Sequence, residues 1–207
     1  MGSYRIAVFA SGRGSNFQSL VDAQASGALG GEISLLVCDK PQAPVVQRAR
    51  EAGIESFVFQ PKDYASREDY EREIAAELQK SGIDLIVLAG YMRLLTSVLV
   101  EPYSGRMINI HPSLLPSFSG KNAIGQALEY GVKMTGVTVH FVDGGMDTGP
   151  VIAQRAVEVV EGDDETSLAE RIHAVEQQLY PEVVSWFTAG RIELIGRNVA
   201  IAAPGKR

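Results

Sequence analysis

The sequence predicts a single-domain, Rossmann-like α/β fold: a mostly parallel twisted sheet with helices on both faces and an antiparallel strand in the C-terminal half. Three observations predict it. Short apolar runs alternate with amphipathic helical stretches through the first half, the rhythm of βαβ units. A glycine-rich turn, Ser11-Gly12-Arg13-Gly14-Ser15-Asn16, directly follows the first apolar run. In the second half, two longer apolar runs are separated only by a glycine-rich loop too short for a parallel crossover, so that pair is antiparallel or bent apart.

Element by element, Ile6–Ala10 reads as a buried strand, and a helix from about Asn16 to Ala25 follows the turn. Ile33–Cys38 is a second strand, Pro44–Ala52 a helix closed by Gly53, and Ser56–Phe59 a short strand. Ser66 is placed to cap a long helix that runs to Lys80 and stops at Gly82. Ile83–Ala89 is apolar almost without interruption, as a strand buried on both faces requires. Met107–Ile110 is a strand, Asn122–Tyr130 a helix, and Val137–Val142 and Val151–Val159 are the two longer strands. Glu165–Phe187 is the longest helix, with Pro181 a candidate kink, and Arg191–Ile201 is a terminal extension. Pro204-Gly205-Lys206-Arg207 is expected to fray. No linker, repeat or low-complexity tract interrupts residues 1–207, which read as one domain.

Composition narrows the class. Hydrophobic residues are 45% and charged residues 21%, enough to bury a full core. A net charge of -6 without a basic stripe argues against a nucleic-acid surface, although local backbone amides bind phosphate whatever the net charge. The single cysteine, Cys38, cannot form an internal disulfide, which points to a reducing, cytoplasmic setting. It sits in an apolar run and reads as a small buried hydrophobe. Met1–Arg5 runs into a strand without a signal-peptide core, and no segment is long enough to span a bilayer. With three histidines and one cysteine, no cluster has zinc-ligand spacing, so no metal is expected. Oligomeric state is left open, a homodimer included.

The chemistry concentrates in three places. The Ser11–Asn16 turn supplies the first two glycines of a dinucleotide fingerprint, but Phe17 stands where the third belongs. It reads either as a cup for one phosphate or as a plain tight turn with Asn16 capping the helix. Asn109-Ile110-His111-Pro112 closes an apolar strand, and period-2 alternation puts Asn109 and His111 on one face. Asp147 lies in the irregular loop Asp143–Pro150. An amide can hold a developing oxyanion, an imidazole can carry a proton, and a carboxylate can orient or relay one. That trio suits acyl transfer without a covalent intermediate; the bland alternative is a buried pair satisfying one another. His140, in mid-strand, reads as a hydrogen-bonded core histidine. Asp39, at the end of the second strand, sits where a ribose-binding acid belongs and is the best support for a competing dinucleotide-binding reading.

Asn109–Pro116 and His140–Pro150, together with Ser11–Asn16, resemble the folate-dependent formyltransferases over nearly the whole chain. Relatives acting on methionyl-tRNA carry an extra C-terminal domain, and formyltetrahydrofolate deformylases an extra N-terminal one; 207 residues leave room for neither. The resemblance implies transfer of a formyl group from 10-formyltetrahydrofolate to the amine of 5-phosphoribosylglycinamide, a step of purine synthesis. It implies Asn109, His111 and Asp147 as catalytic residues. Gly14, Ser15 and Asn16 would hold the substrate phosphate, with His173 and Glu176 at the ribose and phosphate end. Arg67, Met92, Arg93, Leu94 and Leu95 would line the folate site, with Asn109 and the backbone around Val142, Asp143 and Asp147 reading the pterin. For Met92–Leu95, a helix start against the core fits the residues equally well. The chain departs from the family at His173, where an amide is usual, and at Ser119, where proline is usual. The glycine-rich 143–150 loop is a candidate lid.

Overall fold

The computed structural model describes residues 3–203 and residue 205. The chain forms two compact units, Met1–Ile108 and Asn109–Arg207. In the first, β1 (Arg5–Phe9), β2 (Glu32–Cys38), β3 (Glu55–Val58) and β4 (Leu85–Leu88) pair in the order β3-β2-β1-β4, all parallel. Parallel neighbours need crossovers. These are α1 (Ser15–Ala25), α2 (Pro44–Glu51) and α3 (Arg67–Lys80). Ile6–Phe9 and Leu85–Val87 have no exposed surface, which explains their uninterrupted apolar character. Phe17 and Leu20 of α1 and Ile74 and Leu78 of α3 complete the core. The Ser66 hydroxyl accepts from the Asp69 amide at 3.2 Å, the expected cap and worth about 1 kcal/mol. Cys38 is buried and unpaired.

Two short elements were not anticipated: a 3-10 turn at Pro61–Asp63 and helix α4 at Ser97–Val100. Elements of three and four residues are too short to display a period. Helix α4 is set by its cap. Thr96 accepts from the Val98 amide at 3.3 Å and donates its own amide and hydroxyl to the buried Glu71 carboxylate of α3, at 3.0 and 2.5 Å.

Strand β5 (Met107–His111) begins beside β4, where the Ile86 amide donates to the Arg106 carbonyl at 2.9 Å. In the second unit, the end of β5, β6 (Met134–Phe141) and β7 (Val151–Glu158) follow in that order. Strands β6 and β7 are antiparallel, resolving the choice the sequence left open, with an irregularity between Val139 and His140. Helix α5 covers Ala123–Tyr130. Helix α6, Glu165–Thr188, packs on β6 and β7 and buries Leu168, Ile172, Leu179 and Val183, and Pro181 lies within it. Asp164 and Ser167 close its start as a reciprocal capping box.

The extension after α6 is a hairpin, β8 (Ile192–Ile195) paired antiparallel with β9 (Asn198–Ile201). Its four-residue strands are largely exposed, so alternation carried little signal. The fraying expected for Pro204, Lys206 and Arg207 lies outside the described residues. Among the described residues, no helix is long and apolar enough to cross a membrane.

Candidate active site

In the first unit, the Ser11–Asn16 turn is shaped by Gly14, which precedes α1 at φ 74 and ψ 34. A Cβ there would meet Val45 Cγ2 at 2.6 Å, so both the left-handed backbone and the close approach of α2 demand glycine. Gly14, not Asn16, is the residue at the cap; Asn16 lies within the first helical turn. The first amides of a helix lack intrahelical acceptors and stand at the positive end of its dipole, so the turn has the geometry of an anion site. Its outer side is braced: the Val45 amide donates to Gly12 O at 3.2 Å, and Arg48 Nε to Arg13 O at 2.9 Å.

Ser11 links this turn to the segment after β4. Its amide donates to Gly90 O at 3.1 Å, and its Oγ accepts from the Met92 amide at 2.9 Å. Met92 is 71% and Leu94 52% exposed, so the alternative that 92–95 opens a helix against the core fails. Leu95 is half-buried, and Arg67, the first residue of α3, is exposed. Arg93 Nε donates to Asp39 Oδ2 at 2.8 Å, and the Asp39 side chain is fully buried. That bond takes one Asp39 oxygen, and the other, Oδ1, is buried as well. An acid so buried is poorly placed to hold a ribose, which weakens the dinucleotide reading.

The second unit brings the three candidate catalytic residues together. Strand β5 ends with half-buried Asn109 and buried His111 on one face. His111 Nδ1 is 3.4 Å from Asp147 Oδ2, and His111 Nε2 is 2.8 Å from the Phe118 carbonyl oxygen. Both ring nitrogens face oxygen atoms. The Gly120 amide donates to Asp147 Oδ2 at 2.8 Å. Buried His140 of β6 completes the group: its Nε2 is 3.3 Å from Asn109 Nδ2 and 3.7 Å from Asp147 Oδ1, the latter beyond a direct hydrogen bond. Burial pushes the Asp147 carboxyl up, but the donors around it, the Gly120 amide among them, overcome it, and the net direction is below the ordinary carboxylate value. The arrangement is a carboxylate between two imidazoles, with an amide donor beside one of them.

The surrounding loops are pinned. Thr138 of β6 accepts from the Leu115 amide at 3.0 Å and from Gln154 Nε2 at 2.9 Å, and donates to Ser113 O at 2.7 Å. These bonds hold the loop that follows His111; neither Thr138 nor Gln154 was anticipated. Asp143 Oδ1 accepts from the Gly145 amide at 3.0 Å and from Thr148 Oγ1 at 2.6 Å. The Phe141 amide donates to Pro150 O at 2.9 Å, closing the base of the Asp143–Pro150 loop next to half-buried Val142. On α6, His173 is exposed whereas Glu176 is buried one turn away. Burial, and then the Glu176 charge, push the Tyr180 phenol up. Among the described residues, no group of three or more His, Cys, Asp or Glu is placed to hold a metal ion.

Comparison with known proteins shows the family. Residues 4–184 match the formyl transferase family model. The chain is 49% identical over 194 residues to the phosphoribosylglycinamide formyltransferase of Bacillus subtilis (strain 168), covering 94% of this chain and 96% of that protein. It is 41% identical to the phosphoribosylglycinamide formyltransferase of Escherichia coli (strain K12), covering 91% and 89% of the two chains. The crystal structure of glycinamide ribonucleotide transformylase 1 from Symbiobacterium toebii matches with a TM-score of 0.95 at 43% identity, over 97% of this chain and 95% of that one. The chain therefore belongs to the formyl transferase family, which includes these phosphoribosylglycinamide formyltransferases.

Proposed function

We propose that this protein transfers a formyl group from 10-formyltetrahydrofolate to the amine of 5-phosphoribosylglycinamide, as a cytoplasmic enzyme of purine synthesis and as one formyltransferase domain. The observation that carries the reading is Asp147 set between His111 and His140 with Asn109 alongside, in a chain that resembles formyltransferases of this name over nearly its full length. The substrate amine attacks the formyl carbon, forming a C–N bond and a tetrahedral oxyanion. An Asn109 N–H and the His111 ring stabilise that oxygen. The bond to folate N10 then breaks. The amine loses one proton and N10 gains one, with Asp147 holding His111 and helping to carry the proton. No enzyme nucleophile is needed.

The flanking groups receive matching roles. Gly14, Ser15 and Asn16 hold the substrate phosphate, with Glu176 and His173 serving its ribose and phosphate end. The exposed apolar side chains of Met92 and Leu94, with Leu95, cover the pterin, while Arg67 and Arg93 meet the acidic part of the folate. The backbone around Val142, Asp143 and Asp147 reads the pterin's donors and acceptors.

The direct test is a formyl-transfer assay with these two substrates. Wild type is expected to turn over and His111→Ala to lose about a hundredfold in kcat. A silent wild type, or an undiminished variant, overturns the reading. Gly14→Ala tests the phosphate cup separately. A Cβ forced into the left-handed region and against Val45 is expected to destabilise the fold by about 2 kcal/mol. It should also raise KM for the phosphorylated amine about tenfold while leaving KM for folate near wild type. Equal changes in both KM values would remove the turn from phosphate binding.

A further inference from the structure

His140 has no part in the proposed reaction steps, yet its surroundings define its protonation pattern. The ring is buried, and its Nδ1 lies 2.7 Å from the Phe141 carbonyl oxygen. A carbonyl can only accept, so Nδ1 carries a proton. The other nitrogen, Nε2, faces Asn109 Nδ2 at 3.3 Å and Asp147 Oδ1 at 3.7 Å. Two states fit a ring protonated on Nδ1. A neutral ring is bare at Nε2 and accepts from the Asn109 amide. An imidazolium presents a second N–H, which repels the Asn109 NH2 group and turns that amide over to offer its oxygen.

The neighbours select the first state. Asp147 Oδ1 lies beyond direct hydrogen-bond distance of Nε2, whereas the Asn109 amide nitrogen, which can only donate, lies within it. A second N–H on the ring would point at that NH2 group in a buried site. The consequence falls on Asn109. An amide is nearly symmetric in shape but opposite in polarity at its two ends. With Nδ2 toward His140, one N–H is spent on Nε2 and the other remains available. Turned over, the same side chain would aim a lone pair at a developing oxyanion.

We propose that His140 is a positioning residue: neutral and protonated on Nδ1, it accepts one N–H of Asn109 and so keeps the second N–H directed at the reacting formyl oxygen. This rests on the formyl-transfer reading and deepens it. Histidine suits the task because one ring joins a backbone acceptor on one side to a donor on the other. Its anchor, the Phe141 carbonyl, is itself fixed by the neighbouring strand end, where the Phe141 amide donates to Pro150 O.

The test has a spectroscopic and a kinetic arm. Long-range 15N–1H correlation spectra of the unliganded wild-type protein at neutral pH should show His140 with a protonated Nδ1 and a bare Nε2. A ring carrying a proton on Nε2, alone or together with Nδ1, overturns the proposal. In the kinetic arm, His140→Leu removes the acceptor and is expected to lower kcat about tenfold while both KM values stay within about threefold. His140→Gln offers an acceptor oxygen at the same reach and should recover kcat to within about threefold of wild type. In an Asn109→Ala background, His140→Leu should cost less than about twofold more, because nothing is left to position. Equal losses in both backgrounds would show that His140 acts independently of Asn109 and overturn the proposal. The two readings fail separately. An active wild type with the opposite tautomer defeats only the positioning role. A wild type that transfers no formyl group defeats the functional reading, and the catalytic purpose of the lock with it, even when the tautomer is the expected one.

Discussion

Asp147→Asn is expected to lower kcat for formyl transfer about a thousandfold while moving substrate KM values only a few-fold. The substitution keeps size and shape but removes the charge between His111 and His140. It also places an NH2 group where a carboxylate oxygen accepts the Gly120 amide or faces a ring nitrogen. His111 then loses the carboxylate that faces its Nδ1, and the proton route loses its base. Single-turnover measurements isolate the chemical step, and an unchanged single-turnover rate would end the catalytic assignment. Stability supplies a second readout. The Asp147 carboxyl lies below its ordinary value in the folded protein, so its contribution is complete above the unfolded value of about 3.9 and is lost as pH falls through the lower folded one. The gap in unfolding free energy between wild type and Asp147→Asn should be constant above about pH 5 and narrow below about pH 4. Urea melts across that range test the sign.

Gly149→Ala is expected to destabilise the protein by about 3 kcal/mol and to reduce turnover as well. A Cβ at Gly149 would fall on the Phe141 carbonyl oxygen and lie 2.7 Å from its carbon, a backbone group that cannot rotate away. The same oxygen accepts the His140 Nδ1 proton. Displacing it disturbs β6, the closure of the Asp143–Pro150 loop and the ring beside Asn109 together. Gly144→Ala, in the same loop, is the control. Nothing lies within 4 Å of its Cβ, so it should change stability by less than about 0.5 kcal/mol. Denaturant melts of the two variants that coincided would refute the close-approach argument.

Much of this architecture was legible in the residues because its periods are clean. The apolar runs of β1, β2 and β4 and the Ser66 cap appear where patterning puts them, and alternation along Asn109-Ile110-His111 correctly places two polar side chains on one face. Polar partners across strands were not legible. His140 was readable as a buried, bonded histidine in Val137-Thr138-Val139-His140-Phe141, but that its ring meets Asn109 and Asp147 depends on the order β5-β6, which no local pattern encodes. Thr138 holds the loop after His111 for the same reason. Backbone conformation was equally hidden. Phe118, Asn122 and Asp147 adopt positive φ without being glycine, at 54°, 55° and 55°, which residue type does not announce. The hairpin β8–β9 escaped because short, exposed strands bury too little to leave an apolar stripe.

The Phe118 carbonyl on His111 Nε2 has a consequence for how the proposed enzyme discriminates among oxygens. In the unliganded protein this donor is already engaged with a neutral acceptor. A substrate carbonyl, also neutral, gains little by displacing an equal. An alkoxide is a much stronger acceptor and wins the exchange outright. The loop thus handicaps ground-state binding and leaves the full strength of the donor for the moment when charge develops, which is where a catalyst gains rate.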